Sequence, residues 1–135
     1  MLFFKLVPVL LSAALLPACA TSGGYDPTYS KFRIVLAEEN FKLGRKLTSS
    51  HADFLKLTKD EYLASMRIQN SALVRELLSF DEMIFGVSPQ TFVVCVRSVK
   101  DTISICDNSY TAQPDRVKPT ANTDLKKLMD EIRGP

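Results

Sequence analysis

Histidine is almost missing from this 135-residue chain: His51 stands alone, beside three cysteines, Cys19, Cys95 and Cys106. A structural zinc site takes four Cys or His ligands, and with two of the cysteines read as an oxidised pair too few donors of the usual kind remain, so no metal or other cofactor is expected. No C-x-x-C pair is present. Ten residues lie between Cys95 and Cys106, which argues against a redox couple. An excess of one charge is missing too. Seventeen Lys and Arg face fifteen Asp and Glu, a formal +2, which gives no electrostatic case for nucleic acid. There is no glycine-rich phosphate loop and no G-x-S-x-G. His51 does lie near Ser49, Ser50 and Asp53, but catalytic triads are assembled across a fold, and neighbours in one short segment seldom reach relay geometry. SSHADF is expected to be a solvated loop, Glu38-Glu39 and Asp130-Glu131 solvated helix faces, and the chain not an enzyme. A hydrolase built on His51 is the weakest reading.

A long apolar run is also absent. The stretch from Leu6 to Leu16 covers 11 residues and contains Pro8, whereas a membrane-spanning helix needs about 20. What stands there instead has the form of a secretory signal: Lys5 near the amino terminus, the apolar stretch, then small Ala18. Leu16-Pro17-Ala18-Cys19 resembles the lipobox of bacterial lipoprotein precursors, an aliphatic residue, a variable one, a small one and cysteine. The resemblance covers these four positions and the signal before them. It implies that the Cys19 thiol receives a diacylglycerol and that residues 1–18 are removed. The new amino group is then acylated as well. One acyl chain holds a protein to a bilayer only marginally, and two or more make the attachment durable. Plain secretion by cleavage nearby is the alternative, and it leaves Cys19 as a thiol.

Residues 19–30 are then anchor and tether. The 11 residues Ala20 to Ser30 are mostly small and polar, with an r.m.s. reach of about 18 Å as a flexible chain and at most about 40 Å extended. The folded part is expected close to a bilayer. In a two-membrane bacterium, Ala20 in place of Asp resembles lipoproteins sent to the outer membrane. The expected location is its periplasmic side, or the outer leaflet of the cytoplasmic membrane in a one-membrane host. Residues 31–135 suit one small domain, and the six of the chain's eight Phe that lie there argue for a packed core.

Within that domain, SKFRIVLAEENFKLGRKL places Phe32, Val35, Leu36, Leu43 and Leu47 near one helical face, with Ser30 as cap and Gly44 as stop. KFRIVL also alternates as a strand would. Thr58 and Glu61 have capping-box spacing, and Tyr62, Met66, Leu73, Leu77 and Phe80 follow as a stripe. Asn70-Ser71 leaves two possibilities, one helix over 59–80 or a helix followed by a hairpin. After Cys106, a polar stretch with two prolines reads as loop. Leu125, Leu128, Met129 and Ile132 then mark a last helix, capped by Asn122 or Thr123 and ended by Gly134 and Pro135. That stripe serves the core, or a partner protein.

The clearest strand signal is TFVVCVRSVKDTISICDNS, rich in β-branched residues. Folded about Lys100-Asp101 with a four-residue loop from Val99 to Thr102, it pairs Val96 with Ile105 and Ser98 with Ile103. Cys95 then faces Cys106. Phe92, Val94, Val96, Ile103 and Ile105 share one face, while Val93, Cys95, Arg97, Ser104 and Cys106 share the other. Apolar segregation and cysteine opposition select the same register. Opposed residues of antiparallel strands lie within disulfide range, so a Cys95–Cys106 bond is expected. Free thiols or a bond to a partner are the alternatives. The fold class is α+β: a small domain with one or two N-terminal helices, a stapled hairpin over about 91–107 and a C-terminal helix. The expected function is a lipid-anchored binding or scaffolding module in a cell-envelope assembly, held by membrane lipid at Cys19 and engaging a protein partner. A periplasmic inhibitor or immunity-type protein that binds a toxin or soluble ligand is the alternative.

Overall fold

The computed structural model describes residues 29–111, 117–118 and 125–132. The signal-like segment, Cys19, most of the tether, Asn122, Thr123, Gly134 and Pro135 lie outside them. Helix α1 (Ser30–Ser49) buries Phe32, Leu36, Ala37, Asn40, Leu43 and Gly44 on one stripe. Val35 and Leu47 are half-buried at its margin. Helical spacing prevails over the strand-like alternation of KFRIVL, because Ile34, which a strand would bury with Phe32 and Leu36, is 47% exposed. Gly44 does not stop the helix. It is the point where α1 crosses Ser109, and a Cβ there would lie 2.8 Å from the Ser109 Cβ and 3.1 Å from its carbonyl oxygen. Glycine at this position is required by close approach.

A short 3-10 turn (Phe54–Lys56) leads to α2 (Lys59–Gln69) and α3 (Ser71–Leu78). The capping box forms as expected: Glu61 N–H donates to Thr58 Oγ1 at 3.1 Å, and Thr58 N–H to Glu61 Oε1 at 3.1 Å. Residues 59–80 are neither one helix nor a helix and hairpin. Asn70, at φ −157° and ψ 88°, ends α2 and starts α3. Its side chain accepts from Leu73 N–H at 3.0 Å, so one asparagine serves as C-cap and N-cap in succession. Tyr62, Met66, Leu73 and Leu77 are buried, and Phe80 meets Phe32 with ring centroids 5.1 Å apart.

Four antiparallel strands follow in sequential order: β1 (Glu82–Val87), β2 (Phe92–Ser98), β3 (Ile103–Asn108) and β4 (Val117–Lys118). The β2–β3 register is the expected one: Cys95 faces Cys106, Val96 faces Ile105 and Ser98 faces Ile103. Residues 99–102 connect the strands, with Thr102 in the left-handed region at φ 51°. Sequence pattern alone did not identify β1. All six of its residues are half-buried, so EMIFGV shows no alternation to read. Nor did it identify β4, two residues that pair with Ser104 and Ile105 inside a stretch read as loop. Pairing with β3, rather than any pattern of its own, makes it a strand.

Both faces of the central strands are covered. On one, Tyr62 packs on Phe85 and Phe92 with centroids 5.2 Å away in each case, and Phe54 stacks on Phe92. On the other, helix α4 (Leu125–Ile132) sets Leu125, Leu128 and Met129 over Val93, Cys95 and Cys106. The stripe of the last helix therefore serves the core. Gly86 accommodates Met129, whose sulfur would lie 2.7 Å from a Cβ there. From Lys31 onward the described residues belong to one compact unit. The α+β class, the stapled hairpin and the C-terminal helix all match expectation.

Cys95 and Cys106 are joined by a disulfide, with Cα atoms 4.1 Å apart and both residues fully buried. The polar centre of the helical layer is Tyr62, whose hydroxyl donates to Asn40 Oδ1 at 2.6 Å. The Asn40 amide donates in turn to Asp107 Oδ2 at 3.4 Å. Burial, reinforced by the charges of Asp107 and Glu39, holds the Tyr62 phenol well above its ordinary range.

Two stability predictions follow from these features. Cys95→Ser and Cys106→Ser should each cost about 2–3 kcal/mol, the value for closing so short a loop. The double variant should cost no more than either alone, since both remove one bond. Denaturant titration of the three variants measures this, and additive losses would contradict it. For Tyr62, the folded state keeps its proton where the unfolded chain ionises, above a pH of about 10. Stability should therefore fall as pH rises beyond that value. Tyr62→Phe should flatten the alkaline limb. At neutral pH it should cost about 1–3 kcal/mol, because the buried Asn40 oxygen loses its donor.

Candidate functional site

The last two turns of α1 end in a left-handed residue, and that residue is His51, at φ 58°. His51 N–H donates to Thr48 O at 3.1 Å and Ala52 N–H to Leu47 O at 3.0 Å, the paired bonds of a Schellman cap. Neighbouring side chains are committed to the same turn. Ser50 Oγ donates to Leu47 O at 3.1 Å, and Asp53 Oδ1 accepts from Leu55 N–H at 3.1 Å. The Ser-His-Asp cluster of the sequence thus ends a helix and starts the next turn. Its residues are all exposed.

Three concavities meet along this half of α1. The first, about 190 Å³, lies between α1 and the ends of the sheet, lined by Phe41, Gly44, Arg45, Thr48, Gln90 and Tyr110, with Thr91 and Ser109 beneath. Thr48 and Gln90 also border a second of about 370 Å³, completed by Ala52, Phe54 and Pro89. Arg45 borders a third of about 500 Å³, together with Lys42, Lys46, Ser49 and Ser50. Shared lining residues set the three side by side along α1, and the first, between α1 and the sheet, is a groove.

Rigid elements hold its walls. Ser109 N–H donates to Phe92 O at 2.9 Å, and its hydroxyl accepts from Phe92 N–H at 3.0 Å, so the floor is fastened to β2. Asn108 Oδ1 accepts from Tyr110 N–H at 2.9 Å and Thr111 N–H at 3.3 Å, which fixes the turn carrying exposed Tyr110. Arg45 lies over the Phe41 ring, 5.8 Å from its centroid. Lys42 pairs with Glu39 at 3.6 Å, and Lys46 donates to Gln69 Oε1 at 3.4 Å. A guanidinium, an amide and hydroxyls beside two aromatic rings suit the binding of a polar or anionic group next to a flat apolar one.

Of the residues singled out from sequence, Cys95 and Cys106 come together, though beneath α4 and away from this groove. Cys19 lies outside the described residues. The groove itself escaped sequence reading, because Phe41, Arg45, Thr48, Gln90 and Tyr110 come from three distant segments without a motif. Among the described residues no cluster of His, Cys, Asp and Glu could hold a metal ion. No described helix is long and apolar enough to cross a membrane.

His51→Gly should stabilise the domain by about 1 kcal/mol, because glycine adopts the left-handed conformation without a Cβ penalty. For a domain of this size that is a rise of about 4–8 °C in melting temperature. Calorimetry measures it, and a fall would show that the imidazole makes a contact of its own.

No family model, curated protein or solved structure matches this chain.

Proposed function

We propose that this protein is a lipid-anchored module of the bacterial cell envelope that binds a partner without catalysing a reaction. The observation that carries the reading is the cysteine count. Of three cysteines, Cys95 and Cys106 share a bond, and the odd one, Cys19, ends Leu16-Pro17-Ala18-Cys19 after a signal-like apolar stretch. A buried disulfide in a small domain is consistent with an oxidising compartment outside the cytoplasm. Diacylglycerol on the Cys19 sulfur and a further acyl chain on its amino group hold the chain to the membrane. The tether keeps the domain near the bilayer, on the periplasmic side of the outer membrane in a two-membrane host. The groove along the C-terminal half of α1 is the docking surface, with Arg45, Gln90 and Tyr110 supplying charge, hydrogen bonds and a flat ring.

Metabolic labelling with an alkyne fatty acid tests the anchor. The full chain should carry label, and Cys19→Ser should remove it and leave the longer precursor; an unlabelled full chain would end the proposal. On a density gradient the labelled protein should sediment with outer-membrane markers. Recovery with the inner membrane would overturn the location and leave the anchor standing.

A further inference from the structure

We propose that the end of the domain where the chain enters α1 is a membrane-docking face, seated on the headgroups of the bilayer that holds the chain. The inference rests on the lipid anchor at Cys19. Three elements come together at this end. Phe32, in the first turn of α1, meets Phe80 with ring centroids 5.1 Å apart. Phe80 stands two residues after Leu78, the last residue of α3. Asp81 follows, and its Oδ2 accepts from Val99 N–H at 2.7 Å while its own N–H donates to Arg97 O at 3.0 Å. The loop over 99–102 is thereby fastened to the same end. Helix α1 runs from there along β3 to the groove, since Asn40 reaches Asp107 and Gly44 abuts Ser109.

Each element brings one exposed apolar side chain with a basic neighbour. Leu78 is 53% exposed, Val99 52% and Ile34 47%. Arg75 lies three residues before Leu78, Lys31 three before Ile34, and Lys100 next to Val99, all exposed. Residues three apart on a helix share a side, so each base stands beside its apolar companion. An apolar side chain that enters the headgroup boundary, beside a cation that meets lipid phosphate, is the composition of an interfacial surface. Nearby acids are engaged elsewhere. Asp81 holds Val99 N–H, Glu82 pairs with Arg97 at 2.8 Å, and Asp101 Oδ2 accepts from Ser98 Oγ at 3.4 Å. Glu76 is two residues from Leu78, toward the other side of α3, and Glu38 stands a turn further along α1.

The attachment of the chain selects the bilayer as occupant. Ala20 to Ser30 supplies 11 residues with a reach of about 18 Å, so lipid on Cys19 delivers this end of the domain to the surface first. Attachment also raises the effective concentration of headgroups at the face, and three shallow contacts then suffice where an untethered protein would need more. Helix α1 has 20 residues and is about 30 Å long. With its first turn at the headgroups, α1 rises from the bilayer and carries the groove at its far end. Arg45, Gln90 and Tyr110 are then presented away from the membrane, where a partner can reach them.

Fluorescence quenching on the acylated full chain tests the orientation, in vesicles of phosphatidylethanolamine and phosphatidylglycerol that carry a nitroxide lipid near the headgroup. Cys19 is acylated and Cys95 is bonded to Cys106, so one introduced thiol alone takes the dye. Ser79→Cys, exposed beside Leu78, should lose roughly half of its fluorescence to the nitroxide, since an interfacial face sits about 5–10 Å into the boundary. Leu55→Cys, exposed on the turn after α1, should lose almost none, because it stands about 30 Å further out. Adding Leu78→Glu/Val99→Glu to Ser79→Cys should reduce the loss to the level of Leu55→Cys. Lys31→Glu/Lys100→Glu should reduce it too, with the apolar side chains still in place. Equal loss at the two dye positions, or a loss unchanged by both Glu pairs, would overturn the face and leave the anchor standing. A chain that does not float with the vesicles would overturn the anchor, and the face with it. A protein adduct from a benzophenone on Ser79→Cys in permeabilised cells would assign this end to another protein or, at twice the monomer mass, to a second copy.

Discussion

The pairing of β2 with β3 is the constraint from which the rest of the structure follows. Val94, Val96, Ile103 and Ile105 lie on one face of that ribbon, and Val93, Cys95 and Cys106 on the other. A shift of one residue would exchange the two sets and separate the cysteines. One face requires large aromatic and aliphatic partners, supplied by α1, α2 and the Phe54 turn. The other requires only a thin cover, supplied by two turns of α4. An isolated hairpin is marginal in water, so the disulfide fixes the register while helices on both sides bury it.

The core is not wholly apolar, and its polar members have a specific place. Asn40 from α1, Tyr62 from α2 and Asp107 from β3 form a chain of hydrogen bonds at near-zero exposure. Such a chain contributes less to net stability than the same volume of hydrocarbon, since each group was solvated before folding. Its value is positional. Three elements must meet at one angle for each donor to find its acceptor, whereas Leu36 or Leu77 would tolerate a small rotation.

Legibility in the sequence followed how local each determinant is. Thr58 and Glu61 form a cap through contacts three residues apart, and the hairpin announced its register because alternation and cysteine spacing agree. Helix α1 was legible from Phe32, Leu36 and Leu43, but its end was not. Glycine at position 44 suggested a stop, yet its role depends on Ser109, 65 residues away. Histidine at 51 gives no warning that it will adopt the left-handed conformation glycine usually takes. Strand β1 was illegible because partial burial on both faces removes the period of two. The groove was illegible for a related reason, since Arg45, Gln90 and Tyr110 meet only after the sheet has formed.

Asn108 ties together two parts of the molecule that are far apart in the chain. Its amide donates to Ile132 O at 2.8 Å, in the last turn of α4, while its carbonyl oxygen holds the backbone of Tyr110 and Thr111. One side chain therefore fastens the helix over the disulfide and the wall of the groove on the opposite side of the sheet. Loss of this one amide would therefore loosen the end of α4 and the Tyr110 turn together.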